Sequence, residues 1–294
     1  MNKTFRLFAG AIAFLSLTSF AQTQSTPIST TIPLQGAGAF GRTLDMSAEL
    51  FKPSGDGPFP VLVYAHGRSG TPQERSALRD IVPRQFLGFW LARGFAVVGV
   101  ARPGYGRTGG TDKEIPGHTW DSSGRCSGDF NPERVAEAAS TAIHATVNWV
   151  KQQSWTKQGS VVVAGNSVGG MTAIAVGAKS TDGVVAVINF AGGTGGNPSL
   201  APARSCMPER LTEMFRKFGA TTRTPNLWLY AENDQFWGTE APQLWHAAYL
   251  KSGAQNSTFV VTAATQSQDG HELIFLGRPL WESKVDEFLK TLGL

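Results

Sequence analysis

Short apolar runs recur along this chain, each rich in Val, Ile, Leu or aromatic residues and each bounded by Gly, Pro, Ser or Asp. Read as strands, they fall at Leu44–Phe51, Pro60–Ala65, Ala96–Ala101, Ser160–Gly165, Gly183–Phe190, Asn226–Ala231 and Ser257–Thr262. Between them the apolar positions change to helical spacing. This predicts helices over Pro72–Arg93 (broken near Pro83), Pro132–Gln153, Val168–Lys179, Pro208–Phe218, Ala241–Ser252 and Leu280–Leu292. Pro132 followed by Glu133 suits a helix start, where Pro is tolerated and acid is favoured. Alternation at this spacing builds βαβ units. The expected fold is therefore α/β, a mostly parallel central sheet with helices on both faces. The first two strands of that set, joined by Pro53-Ser54-Gly55-Asp56-Gly57, are expected to run antiparallel to each other.

Two irregular Gly-rich stretches, Arg102–Asn131 and Ala191–Met207, each leave the carboxyl end of a predicted strand. Ligands of open α/β sheets bind at that edge, so both stretches belong to the rim of a site. No repeat or linker divides residues 43–294, which read as one domain. With 294 residues and 41% hydrophobic content the chain can bury a large core.

Residues 1–21 break the pattern. A basic start (Lys3, Arg6) precedes apolar Leu7–Leu17, and small Ser19 and Ala21 suit cleavage before Gln22. Some eleven apolar residues are too few to span a hydrocarbon core about 30 Å thick. We read the segment as a signal peptide of bacterial style, giving a secreted or periplasmic protein with no membrane span in its mature chain. Residues 22–42, rich in Thr, Ser, Gln and Pro at their start, read as a flexible leader. Net charge is +4, of which Lys3 and Arg6 supply two, leaving +2 after cleavage. Without a basic run or stripe, nucleic acid is not an expected partner. The two cysteines, Cys126 and Cys206, suit an oxidising compartment and are expected to form one disulfide. No Cys, His and acidic residues fall at metal-ligand spacing, so neither a metal nor another cofactor is expected.

Candidate chemistry centres on Val161-Val162-Val163-Ala164-Gly165-Asn166-Ser167-Val168-Gly169-Gly170. In a chain with Gly at 34 of 294 positions, Gly-x-Ser-x-Gly alone is weak evidence. Its context is stronger: a β-branched strand runs in and a small-residue helix runs out, as a nucleophile elbow requires. A serine nucleophile needs a base, and the base needs an acid to hold its tautomer. In the α/β-hydrolase arrangement these follow in the order Ser, acid, His. Only His246 and His271 follow Ser167. His246 sits in a helical pattern, whereas His271 lies in a loop after the last strand and is the expected base. Asp234, just past the strand Leu227–Ala231, is the expected acid, with Glu232 as the alternative. Acids in such loops also serve merely as helix caps. For the developing oxyanion, the expected donors are the backbone N–H groups of Val168 and Arg68, with Gly67 next. His66 is expected to bond loop backbone as a buried imidazole.

Together, His66-Gly67, Arg102-Pro103-Gly104-Tyr105-Gly106-Arg107, the Ser167 elbow, Glu232-Asn233-Asp234 and Gly270-His271 resemble the α/β-hydrolase superfamily, and within it the dienelactone hydrolase-like esterases. The resemblance runs from about Thr43 to the C-terminus. Dienelactone hydrolases proper use a Cys nucleophile, and position 167 is Ser, so the resemblance implies a general ester as substrate. Tyr105, Trp120, Phe236 and Trp237 are expected to line an apolar pocket for a small or medium acyl or aryl ester, or else simply to pack their loops. Arg125 could meet an anionic substrate or be merely solvated. The expected function is a secreted serine esterase acting through an acyl-enzyme. A peptidase of the same fold and a catalytically silent binding protein are the alternatives.

Overall fold

Eight strands hydrogen-bond into one sheet in the computed structural model of this protein, which describes residues 26–294. The expected signal peptide lies outside the described residues. In chain order the strands are β1 (Ile28–Leu34), β2 (Leu44–Phe51), β3 (Phe59–Ala65), β4 (Ala96–Val100), β5 (Thr156–Asn166), β6 (Val184–Phe190), β7 (Asn226–Ala231) and β8 (Ser257–Thr262). Across the sheet they run β1-β2-β4-β3-β5-β6-β7-β8. β2 pairs antiparallel with β1 and β4, and every other pairing is parallel.

Alternate residues of the central strands feed two cores, because successive side chains of a strand point to opposite faces. Val61, Val63, Val161 and Val163 pack on one side with helices α2 (Pro132–Lys151), α3 (Val168–Ala178), α4 (Pro208–Thr221) and α5 (Glu240–Lys251). Leu62, Tyr64, Val162 and Ala164 pack on the other with α1 (Arg84–Leu91) and α6 (Arg278–Thr291). α3 is buried along its whole length, which explains its lack of a polar face.

One expectation is corrected. Ile28–Leu34 falls in the segment expected to be a flexible leader, yet it forms the edge strand β1. Ser29 and Thr31 are exposed while Ile32 and Leu34 on the opposite face are buried, so much of its polar composition reflects one solvated face. β2 and β3 run in opposite directions as expected but are not paired, because β4 lies between them. Parallel β3 and β4 need a crossover, and α1 supplies it. The expected helix Pro72–Arg93 is indeed broken: Pro72–Ser76 and α1 are separate, and the carboxylate of Glu49 accepts the N–H groups of Ile81 and Val82 between them.

At the carboxyl edge, the two Gly-rich stretches fold back as small hairpins. His118–Trp120 pairs with Cys126–Gly128, and Gly196–Asn197 with Ala201–Ser205. A disulfide between Cys126 and Cys206 ties the first to the end of the second.

Candidate active site

Ser167 is the single residue between β5 and α3, and its backbone sits at φ 54°, ψ −125°. For a side-chain-bearing residue this is a strained conformation, held only because the surroundings over-determine it. Its N–H donates to Phe190 O at 2.9 Å, and its carbonyl accepts from Met171 N at 3.1 Å and Gly193 N at 3.2 Å. The motif glycines are explained by crowding. A Cβ at Gly169 would lie 1.9 Å from Ala65 O, and one at Gly165 would lie 2.5 Å from the same oxygen. No helix cap engages the Ser167 side chain. The N–H of Val168, first residue of α3, has no acceptor within its helix and lies at the positive end of the helix dipole.

His271 and Asp234 come from the loops after β8 and β7. His271 Nδ1 lies 3.2 Å from Asp234 Oδ2, leaving Nε2 for other chemistry. The other oxygen of Asp234, a residue 1% exposed, accepts the N–H groups of Phe236 at 2.8 Å and Trp237 at 3.0 Å. Glu232, the alternative acid, points to solvent. Asp269 fastens the two loops together, accepting from His271 N and Gln235 N, each at 2.9 Å. Phe236 stacks on the imidazole with ring centroids 4.0 Å apart, which fixes the plane of the ring.

Ser167 and His271 line one open cavity of about 530 Å³. No hydrogen bond joins their side chains; contacts of this kind commonly tighten only in the complex with substrate. Gly67 and Arg68 line the same cavity, and a Cβ at Gly67 would stand 3.4 Å from Ser167 Cβ. Of the four aromatics expected around the serine, Tyr105 and Phe236 line the cavity and Trp120 and Trp237 do not. Trp237 is drawn inward by its indole N–H, which donates to Ala191 O at 2.8 Å. Trp120 is held on the hairpin by a 3.2 Å bond to Gly195 O. Arg125 is exposed and paired with Asp121, away from the cavity. His246 is a packing residue, bonded to Ser257 Oγ at 2.8 Å and stacked on Phe259.

Sequence reasoning overlooked the support beneath the cavity. Tyr64 donates to Asn166 Oδ1 at 2.6 Å beside the elbow, and burial pushes its phenol well above the usual range. Arg102 is fully buried and paired with Glu114, while Arg68 meets Asp112 bidentately at 2.7 and 2.9 Å. A buried Arg in a Gly-rich loop carries no hydropathy signal.

Strand order, elbow and loop placement define an α/β-hydrolase. Over residues 43–271 the sequence matches the family model described as X-Pro dipeptidyl-peptidase (S15 family), and the chain belongs to that family. No curated protein matches it. Among solved structures, an esterase from Pyrococcus furiosus is 16% identical with TM-score 0.59, covering 91% of this chain and 93% of that one. A dienelactone hydrolase described as putative, from Klebsiella pneumoniae subsp. pneumoniae, is 13% identical with TM-score 0.57, covering 90% and 99%. A dipeptidyl aminopeptidase IV from Bacteroides ovatus, also described as putative, is 13% identical with TM-score 0.61, covering 91% of this chain and 36% of that one. At such identities the likeness is one of fold.

Proposed function

We propose that this protein is an exported serine hydrolase of carboxylic esters. Ser167 attacks the ester carbonyl and His271 Nε2 takes its proton. Asp234 holds the imidazole tautomer and stabilises the imidazolium, while the N–H groups of Val168 and Arg68 receive the oxyanion. His271 then protonates the leaving alcohol, and water, activated by the same base, releases the acid and regenerates Ser167. The observation that carries this reading is the strained Ser167 elbow sharing one cavity with an imidazole that a buried carboxylate orients. Export fits the disulfide.

The family description favours a second reading, a peptidase that releases dipeptides. Such an enzyme must hold a protonated amino terminus. Among the described residues that line the cavity the only acid is Asp80, which is exposed and paired with Arg84. That lining supports esters over peptides. Ser167→Ala is expected to abolish p-nitrophenyl acetate hydrolysis and fluorophosphonate labelling, and retained turnover would overturn the mechanism. Comparing p-nitrophenyl esters with X-Pro anilides separates the readings: faster anilide turnover makes the chain a peptidase.

A further inference from the structure

The loop that carries the Gly67 and Arg68 N–H groups is gripped from behind by its carbonyls. Arg102 Nη1 donates to His66 O at 2.7 Å, and Arg102 Nη2 to Gly67 O at 3.3 Å. Arg75 Nη1 donates to Ser69 O at 3.1 Å and to Gly70 O at 3.2 Å. A trans peptide points its C=O and the following N–H to opposite sides. Guanidinium groups that pull the His66 and Gly67 carbonyls one way therefore turn the Gly67 and Arg68 N–H groups the other way. Neither N–H has an internal acceptor among the described residues.

His66 closes the grip. Its Nδ1 meets Gly67 O at 2.7 Å, and its Nε2 accepts the backbone N–H of Arg102 at 3.2 Å. These two bonds require one tautomer, with hydrogen on Nδ1 and a lone pair on Nε2. Burial first, and the Arg102 charge second, hold the ring neutral by pulling its pKa well below the usual imidazole range. Arg102 is itself fixed by Glu114, at 2.5 and 3.0 Å. Glu114 N–H bonds Asp112, which also clamps Arg68 and pairs with Arg75 at 3.3 Å.

We propose that His66 and the buried Arg102–Glu114 pair are positioning residues: they aim the loop N–H groups at the Ser167 side and set transition-state stabilisation, with little effect on substrate affinity. The inference rests on Ser167 being an acyl-transfer nucleophile. None of the three side chains needs to touch substrate.

The experiment compares the full-length wild type with Arg102→Lys and Glu114→Gln. Lysine keeps the charge but loses the forked reach to both carbonyls. The expected result is kcat lower by about 10- to 100-fold, KM within about threefold, and a trifluoromethyl ketone bound more weakly by the same factor as kcat/KM. The control is Arg93→Met, which breaks an ion pair with Asp286 and Glu282 remote from the cavity. It is expected to lower Tm and leave kcat unchanged.

Folded Arg102→Lys or Glu114→Gln protein with unchanged kcat, or with a rise in KM alone, overturns the proposal. If neither variant folds, the wild type still decides it. Nitrogen-15 NMR of the His66 ring is expected to show the Nδ1–H tautomer at the pH of activity, with the Arg68 amide proton moving downfield on binding the ketone. An Nε2–H tautomer, or an unmoved Arg68 amide, overturns it. Absence of both ester turnover and Ser167 labelling in the wild type defeats the esterase reading instead, and this inference falls with it.

Discussion

Asp234 gives its two oxygens different tasks, one to His271 and one to the N–H groups of its own loop. Asp234→Asn keeps an oxygen for the loop but opposes an amide N–H₂ to the ring N–H, which forces the other tautomer. Its kcat is expected to fall by about 10³- to 10⁴-fold with near-normal stability. Steady-state kinetics beside urea unfolding check this, and a loss below tenfold removes Asp234 from the mechanism. Ser167, Asp234 and His271 could be singled out from sequence because each follows a recognisable strand and their chain order is constrained by chemistry. The aromatic lining was less legible. Whether Trp237 faces substrate depends on where its N–H finds an acceptor, here Ala191 O on a different loop. Arg102 stands in a motif legible in the sequence, but its task was not, since only tertiary structure brings it against the His66 and Gly67 carbonyls.

At the scale of elements, the β5–α3 junction is the least tolerant part of the molecule. α3 crosses the end of β3 so closely that Gly169 touches the Ala65 carbonyl region. Gly169→Ala is expected to cost on the order of 3 kcal/mol, since the obstacle is backbone and does not yield like a flexible side chain. Moving α3 also moves Ser167, so fluorophosphonate labelling should slow in parallel. A urea midpoint within error of wild type would refute the close approach. Strands such as β2, β7 and β8 matched their predicted bounds because apolar residues, alternating with polar ones in β2 and aromatic or β-branched in β7 and β8, ended at clear turn signals. β1 was hidden because an edge strand with a solvated face alternates Thr and Ser with apolar residues, and its partner lies in a later segment.

For the molecule as a whole, buried histidines contribute a loss of stability in acid. Burial lowers His246 to about 4 and, with Lys179 contributing second, His144 to about 4. Unfolded, both would titrate near 6.5. The unfolded chain therefore takes up protons first as pH falls. Stability is full above about 6.5 and declines as pH drops towards 4. Urea midpoints between pH 7 and 4.5 should fall accordingly, and His246→Gln should flatten part of that slope. An unchanged or rising midpoint in the wild type contradicts this.

The bond between Cys126 and Cys206 joins excursions that leave the sheet after β4 and after β6. Closing a loop of 80 residues contributes up to about 4.5 kcal/mol through the unfolded chain. Neither end belongs to the central strands. Produced in a reducing cytoplasm, the same gene is expected to yield a chain with its sheet formed and its rim unlatched. Trypsin would then nick such material first near Arg125, whereas oxidised material resists. Identical early cleavage in both preparations would show that the rim holds without its latch.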